Sequence, residues 1–374
     1  MQRYDHGVER ATKTSTQPTT KKKIMMTTKT NNLNSSHAEQ MIPDSICIGI
    51  DNGNGRIKAI SSKGLTARIK SLIHYLDSEQ EMTDGGNESV FIEYVSGPRT
   101  ELWSQRFVVG QQAYQFNPTG VLSTSDDREG KSKYALELTL AAIAPNITMD
   151  YTNVAIALSV HDAGAFCGIK NLINGEHTIR LNGRLCKVNL QLKVVKTEGI
   201  GAYASLLKSK KCTREAQTVL LDVGFGTIIV SVYSSGAGKQ IIPFPDMGAK
   251  SLYQRISNNL SVRKQLKRNG DIQLIQRAIE RGDFVYGNNK ISQFSIADIY
   301  LQELRPWVKN SLVSVLGKID SYLDSAEFLF AIGGGSQLPK ISQWLEKKGF
   351  EVVDDSEFIN ARGLLALAKR EVSK

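Results

Sequence analysis

Apolar and polar positions along the chain follow two periods, and the places where they switch divide it into recognisable pieces. Residues 1–43 show neither period: Thr, Ser, Asn, Gln and Lys predominate and large apolar side chains are few. Such a segment cannot bury enough surface to offset the entropy of ordering, so it reads as a disordered tail closed by Pro43. From Ser45 the pattern changes. Residues 46–50 form an apolar run of strand length, and residues 57–61, after a Gly-rich turn, form its hairpin partner. Apolar content continues over 65–76, a polar loop occupies 77–89, and residues 90–95 and 106–109 predict two more strands joined through Gly97-Pro98. Over 131–144 the spacing becomes helical, with Tyr134, Leu138, Ala141 and Ala142 on one stripe and Pro145 ending it.

Residues 154–160 are continuously apolar, as expected of a strand covered on both faces. Asn182-Gly183 then joins 178–181 to 184–187 as a two-residue hairpin, whose second arm alternates through Val188, Leu190, Leu192 and Val194. That arm ends at Lys196-Thr197-Glu198-Gly199, with a helix predicted over 201–208. Glu198 therefore stands at a strand-to-helix junction, where α/β folds present functional side chains. A basic link, 208–214, follows, and the opening pattern returns: an apolar strand from Thr218, then Asp222, a Gly-x-Gly turn, and an apolar partner over 228–233. The two strand–Asp–turn–strand units predict two related domains facing each other. Beyond them the pattern predicts helices over 249–260 and 272–280. A long helix runs through Leu301, Leu304, Trp307, Val308 and Leu312, kinked at Pro306. A buried strand, 328–332, runs into Gly333-Gly334-Gly335-Ser336, a helix begins near Leu338-Pro339, and a strand, 351–353, and an amphipathic helix, 360–372, complete the series.

Composition adjusts this picture in three respects. At 374 residues the chain can bury two cores, and its 41% hydrophobic and 22% charged content is ordinary for a globular protein. No apolar run approaches the roughly 20 residues of a membrane span and the start lacks a signal-peptide pattern, so a cytoplasmic protein with no membrane partner is expected. Cys47, Cys167, Cys186 and Cys212 form no C-x-x-C pair and have no histidine at metal spacing, which argues against disulfides and zinc; Cys47 reads as a small buried hydrophobe. The net charge is +10, of which +4 falls in residues 1–43. The remainder is only mildly basic and reads as a solvated surface, while direct DNA contact by the basic tail stays open.

The chemistry centres on Ile48 to Lys58. An apolar strand delivers Asp51, the turn Asn52-Gly53-Asn54-Gly55 follows, and Lys58 stands seven positions after the aspartate. Glycines let backbone N–H groups approach anionic oxygens, the lysine can neutralise a phosphate, and the aspartate can hold a hydrated magnesium ion. The same residues also suit a plain hairpin turn. The second unit, Asp222 with Gly224, Phe225, Gly226 and Thr227, offers a matching half-site, and the two aspartates can share one Mg²⁺ through its waters, although each alone is also an ordinary turn residue. Glu198 can orient or deprotonate an attacking water, or it can serve the helix dipole. Gly333 to Gly335 allow close approach of an adenine and ribose to backbone, as plain loops also do. His161 and Asp162 have no nucleophile in a recognisable context and read as loop residues.

Taken in order, five segments resemble the motifs of the actin family. Asp51 to Lys58 resembles the first phosphate loop, Thr197 to Ala202 the first connecting segment with its catalytic Gln or Glu, and Asp222 to Thr227 the second phosphate loop. Gly333-Gly334-Gly335-Ser336 is similar to the adenosine motif and Phe358 to Gly363 to the second connecting segment. The resemblance spans about residues 46–372 and points to bacterial and archaeal actin-like ATPases of the plasmid-segregation (ParM/StbA) type. It implies an α/β fold, the actin-like ATPase fold, with two duplicated RNase H-like domains around a nucleotide cleft. Domain I would span 44–215, domain II 216–357, and a C-terminal helix, 358–373, would pack back on domain I. It implies ATP, or GTP, with Mg²⁺ near Asp51 and Asp222. Asn52, Gly53, Asn54, Gly55, Lys58, Gly224, Phe225, Gly226 and Thr227 would serve the phosphates, Gly334, Gly335 and Ser336 the adenosine, and Glu198 with Asp222 catalysis. Phe225 and Ile229 depart from the family, which has an acid and a histidine there, so water activation falls to Glu198 and hydrolysis should be slow. The implied role is a self-assembling filament moving plasmid DNA through an adaptor protein. A non-polymerising nucleotide-binding adaptor and a small-molecule kinase of the same superfamily are the alternatives.

Overall fold

The computed structural model describes residues 45–81, 88–126, 130–148, 150–160, 166–234, 237–287 and 293–374. The expected disordered tail, the His161-Asp162 pair and the middle of the polar loop lie outside the described residues. The apolar runs form a sheet from β1 (Ile46–Asn52), β2 (Arg56–Ser61), β3 (Thr66–Lys70), β4 (Leu72–Tyr75), β5 (Ser89–Ser96), β6 (Gln105–Gly110), β7 (Leu122–Ser123), β8 (Tyr151–Val160), β9 (Gly175–Leu181) and β10 (Arg184–Thr197). Its order is β3-β2-β1-β8-β10-β9-β5-β6-β4-β7. A second sheet takes β11 (Thr218–Val223), β12 (Thr227–Ser234) and β13 (Ala237–Pro245). A two-stranded ribbon of β14 (Val285–Tyr286) and β15 (Phe294–Ser295) follows, and β16 (Phe328–Ile332) and β17 (Glu351–Val352) complete the second sheet in the order β13-β12-β11-β16-β17.

The duplication anticipated from two turns extends to whole sheets. In β3-β2-β1-β8-β10 the first two pairings are antiparallel and the next two parallel. The series β13-β12-β11-β16-β17 repeats that order and sense strand for strand. The first sheet differs in being continued past β10 by five further strands, so the two lobes share a five-strand plan and differ at one edge.

Helices cover these sheets where the sequence turns amphipathic. The first lobe carries α1 (Gln111–Phe116), α2 (Gly130–Lys133), the wholly buried α3 (Ala135–Ile143) and α4 (Phe166–Ile173), while α5 (Ile200–Lys208) packs Ala202, Tyr203 and Leu206 with Leu220, Tyr233 and Phe330 of the second sheet. After β13 come α6 (Ala249–Asn258), α7 (Leu260–Leu266), α8 (Ile272–Arg281), α9 (Ala297–Val308), α10 (Ser314–Lys318), α11 (Asp320–Leu323) and α12 (Ile341–Glu346). Each lobe has its own core. Ile48, Ile50, Leu138 and Ile156 belong to one, and Val219, Val230, Leu252, Ile275 and Trp307 to the other.

The last helix, α13 (Ile359–Val372), seats on the first lobe, where Leu364 and Ala368 pack with Cys47, Ala155 and Ala157. Glycines make this fit possible. A side chain at Gly49 would place its Cβ 2.1 Å from the Ala361 carbonyl, and one at Gly363 would lie 1.7 Å from the Gly201 carbonyl, so β1, α13 and α5 touch backbone to backbone. Among the described residues no helix is long and apolar enough to cross a membrane.

Several elements differ from the periodic reading, each for a local reason. The 65–76 segment is two strands because Ser71 turns aside and donates from its hydroxyl to the Gly53 carbonyl at 2.6 Å. The helix expected over 249–260 breaks at Asn259, whose extended backbone ends α6 and whose side chain caps α7 by accepting from the Ser261 N–H. β13 escapes the pattern because it is an edge strand that tolerates Pro243 and Pro245. The helix at Pro306 runs on through a π-helical turn, Lys309–Val313, before α10.

Candidate functional site

Hairpin register places the first acidic group. Asp51 and Lys58 are cross-strand partners in β1 and β2, which is the structural meaning of their seven-residue spacing, and Lys58 Nζ donates to Asp51 Oδ2 at 3.3 Å. On the other side β8 runs parallel to β1 with Ser159 opposite Asp51, and Ser159 Oγ donates to Oδ1 at 3.0 Å. Asp51 is thus held from both neighbouring strands. The turn beyond it is braced as well, with Ser71 on the Gly53 carbonyl and Thr124 Oγ1 donating to the Asn54 carbonyl at 3.2 Å.

The second hairpin repeats the register but not the chemistry. Asp222 stands opposite Ile229, so no cation faces it across the strands. It lines the cavity between the turns and is half-buried. Burial, together with the charges of Asp51 and Glu198, pushes its carboxyl up to about 7, with Lys58 and Lys131 offsetting part of the effect. The glycine run after β16 lies directly against this carboxylate: a Cβ at Gly333, where φ is +83°, would stand 2.3 Å from Asp222 Oδ1.

The two turns meet across the cavity. A Cβ on Gly55 would lie 2.7 Å from the Phe225 side chain, and one on Gly226 would lie 3.3 Å from Asn54 Nδ2. Glu198 leaves the end of β10 with its N–H on the Val160 carbonyl at 3.1 Å, and Gly199 then takes the left-handed conformation that starts α5. Its carboxylate is paired with Lys131 of α2. No motif in the sequence marks Lys131. The one available signal is its place in the first turn of the helical segment, where a cation opposes the helix dipole and needs a reason to be there.

These groups line one cavity of about 430 Å³, a volume suited to a small-molecule ligand. Asp51, Gly53, Asn54, Gly55, Lys58, Glu198, Asp222, Gly224, Phe225, Gly226, Thr227, Gly334 and Gly335 all contribute, joined by Lys131, Tyr253 and the α8 residues Gln276, Ile279 and Glu280. Two expected residues sit behind the wall. The buried Asn52 amide donates to the Lys131 carbonyl at 3.5 Å, and the buried Ser336 hydroxyl donates to the Gly333 carbonyl at 2.7 Å.

A strap of polar contacts joins the lobes beside the cavity. Arg56 and Lys70 are directly opposed in β2 and β3, and both reach α8, whose Gln273, Gln276 and Glu280 are spaced to share a helix face. Arg56 makes a bidentate pair with Glu280 at 2.6 and 2.8 Å. Burial raises the Glu280 carboxyl, but the Arg56 hydrogen bond and charge outweigh it and hold it below the usual range. Lys70 Nζ donates to Gln273 Oε1 at 2.5 Å and to Gln276 Oε1 at 3.4 Å; burial, then the neighbouring Arg56, bring its pKa down to about 8. Tyr114 adds a hydrogen bond to Asp271, the cap of α8.

Residues 49–201 match the family model described as the actin-like proteins N-terminal domain. An archaeal actin homolog, Ta0583, superposes with a TM-score of 0.69 at 18% identity, covering 87% of this chain and 99% of that one. The chain has an actin-like fold. Other actin-like structures agree: a 15-stranded ParM filament from Clostridium botulinum gives a TM-score of 0.70 at 17% identity, over 87% of this chain and 99% of that chain. Bacillus thuringiensis ParM with ATP gives 0.64 at 17% identity, over 88% and 100%. No curated protein sequence matches this actin-like chain.

Among the described residues no three His, Cys, Asp or Glu side chains converge as a metal cage. The donors present include the hard carboxylates of Asp51 and Asp222, and Asp222 has no cation across its hairpin. That combination fits a magnesium ion held through its waters with the ligand's phosphates completing the shell.

Proposed function

We propose that this actin-like chain binds Mg·ATP, or Mg·GTP, in the cavity between its lobes and hydrolyses it slowly in step with assembly into filaments. The observation that carries this reading is the convergence of both Asp–Gly hairpins, Glu198 and the Gly333–Gly335 run on one cavity. Asp51 and Asp222 would hold the hydrated ion, which when bound screens the phosphate charge. Lys58 and the turns Gly53 to Gly55 and Gly224 to Thr227 would hold phosphates, Gly334 and Gly335 would lie along the adenosine, and Glu198 would orient the water. Domain I would comprise 44–215 with the helix 358–373, and domain II 216–357. A nucleotide touching both lobes biases their closure and so the contacts between subunits.

We infer that the polymer works in the cytoplasm and moves plasmid DNA through an adaptor; the fold's likeness to a ParM filament supports the assembly part of this reading. The test is sedimentation and electron microscopy of the purified protein with and without a slowly hydrolysed ATP analogue. Nucleotide-dependent filaments are expected, and their absence at high protein concentration would sink the filament reading. Separately, Glu198→Ala should keep nucleotide bound while turnover is largely lost; undiminished phosphate release would remove the role given to Glu198.

A further inference from the structure

The cations lining the cavity are already taken. Arg56 is paired with Glu280, Lys58 with Asp51, Arg68 with Glu357, Lys131 with Glu198 and Arg281 with Asp283. An anionic ligand therefore has to draw a cation off a carboxylate, and the choice of cation decides which carboxylate is released. Lys58 would release Asp51. Lys131 would release Glu198, the group placed beside the attacking water.

The Lys131–Glu198 pair is built for such an exchange. Both side chains are mostly enclosed, at 14% and 15% exposure. The Lys131 backbone is anchored by Asn52 at the end of β1, beside Asp51, so the ammonium can move while its Cα stays in place. The segment also has a free rotor length of four methylenes, long enough to shift a charge by a few ångströms without moving the helix.

Resting on the nucleotide reading above, we propose that Lys131 binds the terminal phosphate of a triphosphate and thereby gates Glu198. It occupies Glu198 while the cleft lacks a triphosphate, and it frees Glu198 for the water when the terminal phosphate takes over the lysine's charge. The exchange breaks one ion pair and forms another, with no bond to phosphorus made by the lysine. A diphosphate lacks the group that would draw Lys131 away, so Glu198 stays occupied. The same exchange makes Lys131 a selector of triphosphate over diphosphate.

The test uses the full-length protein and compares wild type, Lys131→Met and Lys131→Arg. Affinities for Mg·ADP and for a slowly hydrolysed Mg·ATP analogue are measured by calorimetry, with kcat and KM for phosphate release alongside. Lys131→Met should lose about tenfold in triphosphate affinity and change less than about twofold for diphosphate, with kcat down by about tenfold or more. Lys131→Arg should restore both to within about threefold, because the charge is kept. A Lys131→Met protein with the wild-type triphosphate-to-diphosphate ratio and wild-type kcat overturns the proposal, as do equal losses for both nucleotides. If Lys131→Met fails to fold, Glu198→Gln decides. Releasing Lys131 from its partner should tighten triphosphate binding severalfold, and unchanged or weaker binding overturns the proposal. A wild type that binds neither nucleotide overturns the nucleotide reading and this inference together. A wild type that binds both, with unaltered variants, overturns this inference alone.

Discussion

The β1–β2 and β11–β12 hairpins share strand order, register and an aspartate at the same place, yet their aspartates live in opposite circumstances. Asp51 has Lys58 across the hairpin and Ser159 on the neighbouring parallel strand. Asp222 has Ile229 across the hairpin and a glycine backbone against it, and burial, with the charges of Asp51 and Glu198 added, pushes it up to about 7. A duplicated scaffold therefore supplies one carboxylate that is satisfied without a ligand and one that is not. On the proposed reading the second would be relieved by a bound cation, so the second hairpin would act as the sensor and the first as the fixed support.

The sharpest way to break this comparison is to neutralise each aspartate in turn. Asp222→Asn should raise the melting temperature of the ligand-free protein, Asp51→Asn should lower it by stranding Lys58, and both should weaken Mg·ATP binding by about a thousandfold. Thermal unfolding with and without Mg·ATP reads all of these, and stability changes of the same sign would end the distinction.

The next effect belongs to the strap. A lysine whose folded pKa lies below its unfolded value binds fewer protons folded than unfolded, so stability rises with pH between the two. For Lys70 that window runs from about 8 to its ordinary value of 10.5. The rise should approach about 3 kcal/mol at most. Chemical denaturation across this range should show the slope in wild type and lose it in Lys70→Met.

Arg56→Ala removes the bidentate contact to Glu280 and should speed release of a fluorescent nucleotide by about tenfold, a barrier change of about 1.4 kcal/mol. An unchanged release rate would mean that the strap does not hold the cleft. The smallest expected effect comes from making the second hairpin copy the first. Ile229→Lys trades buried apolar surface for a partner to Asp222, so it should leave ligand-free stability within about 1 kcal/mol and narrow the affinity difference measured with and without magnesium. A wider difference would contradict the assignment of Asp222 as the cation's sensor.

The parts of this site that were legible in the sequence were those made by local rules. Asp51 and Lys58 share a short hairpin, Glu198 follows an alternating strand directly, and the second Asp–Gly turn repeats the first. Tertiary placement hid the rest. Arg56 meets Glu280 across 224 residues and Lys70 meets Gln273 across 203, and no period connects positions that far apart. Lys131 belongs to no motif because its partner lies on another element. Asn52 and Ser336 belong to their motifs by position, but alternation and local hydrogen bonding turn them away from the cavity. The full strand-for-strand repeat was likewise invisible, because β13 is a proline-bearing edge strand that the periodic pattern does not mark.

The seat of α13 on Gly49 has a consequence for biogenesis. Among the described residues the first strand is covered by a helix that begins at residue 359, so the backbone-to-backbone seam at Gly49, Gly201 and Gly363 cannot close while the intervening chain is still being made. At about 5–20 residues per second that interval lasts roughly 15–60 s. During it Cys47, Ala155 and Ala157 lack their cover, and the Asp51 hairpin grows from a strand whose packing is unfinished. Nascent chains halted before residue 359 should therefore present an exposed, chaperone-binding first lobe, while the second lobe, whose core is local to residues 219–350, can mature first.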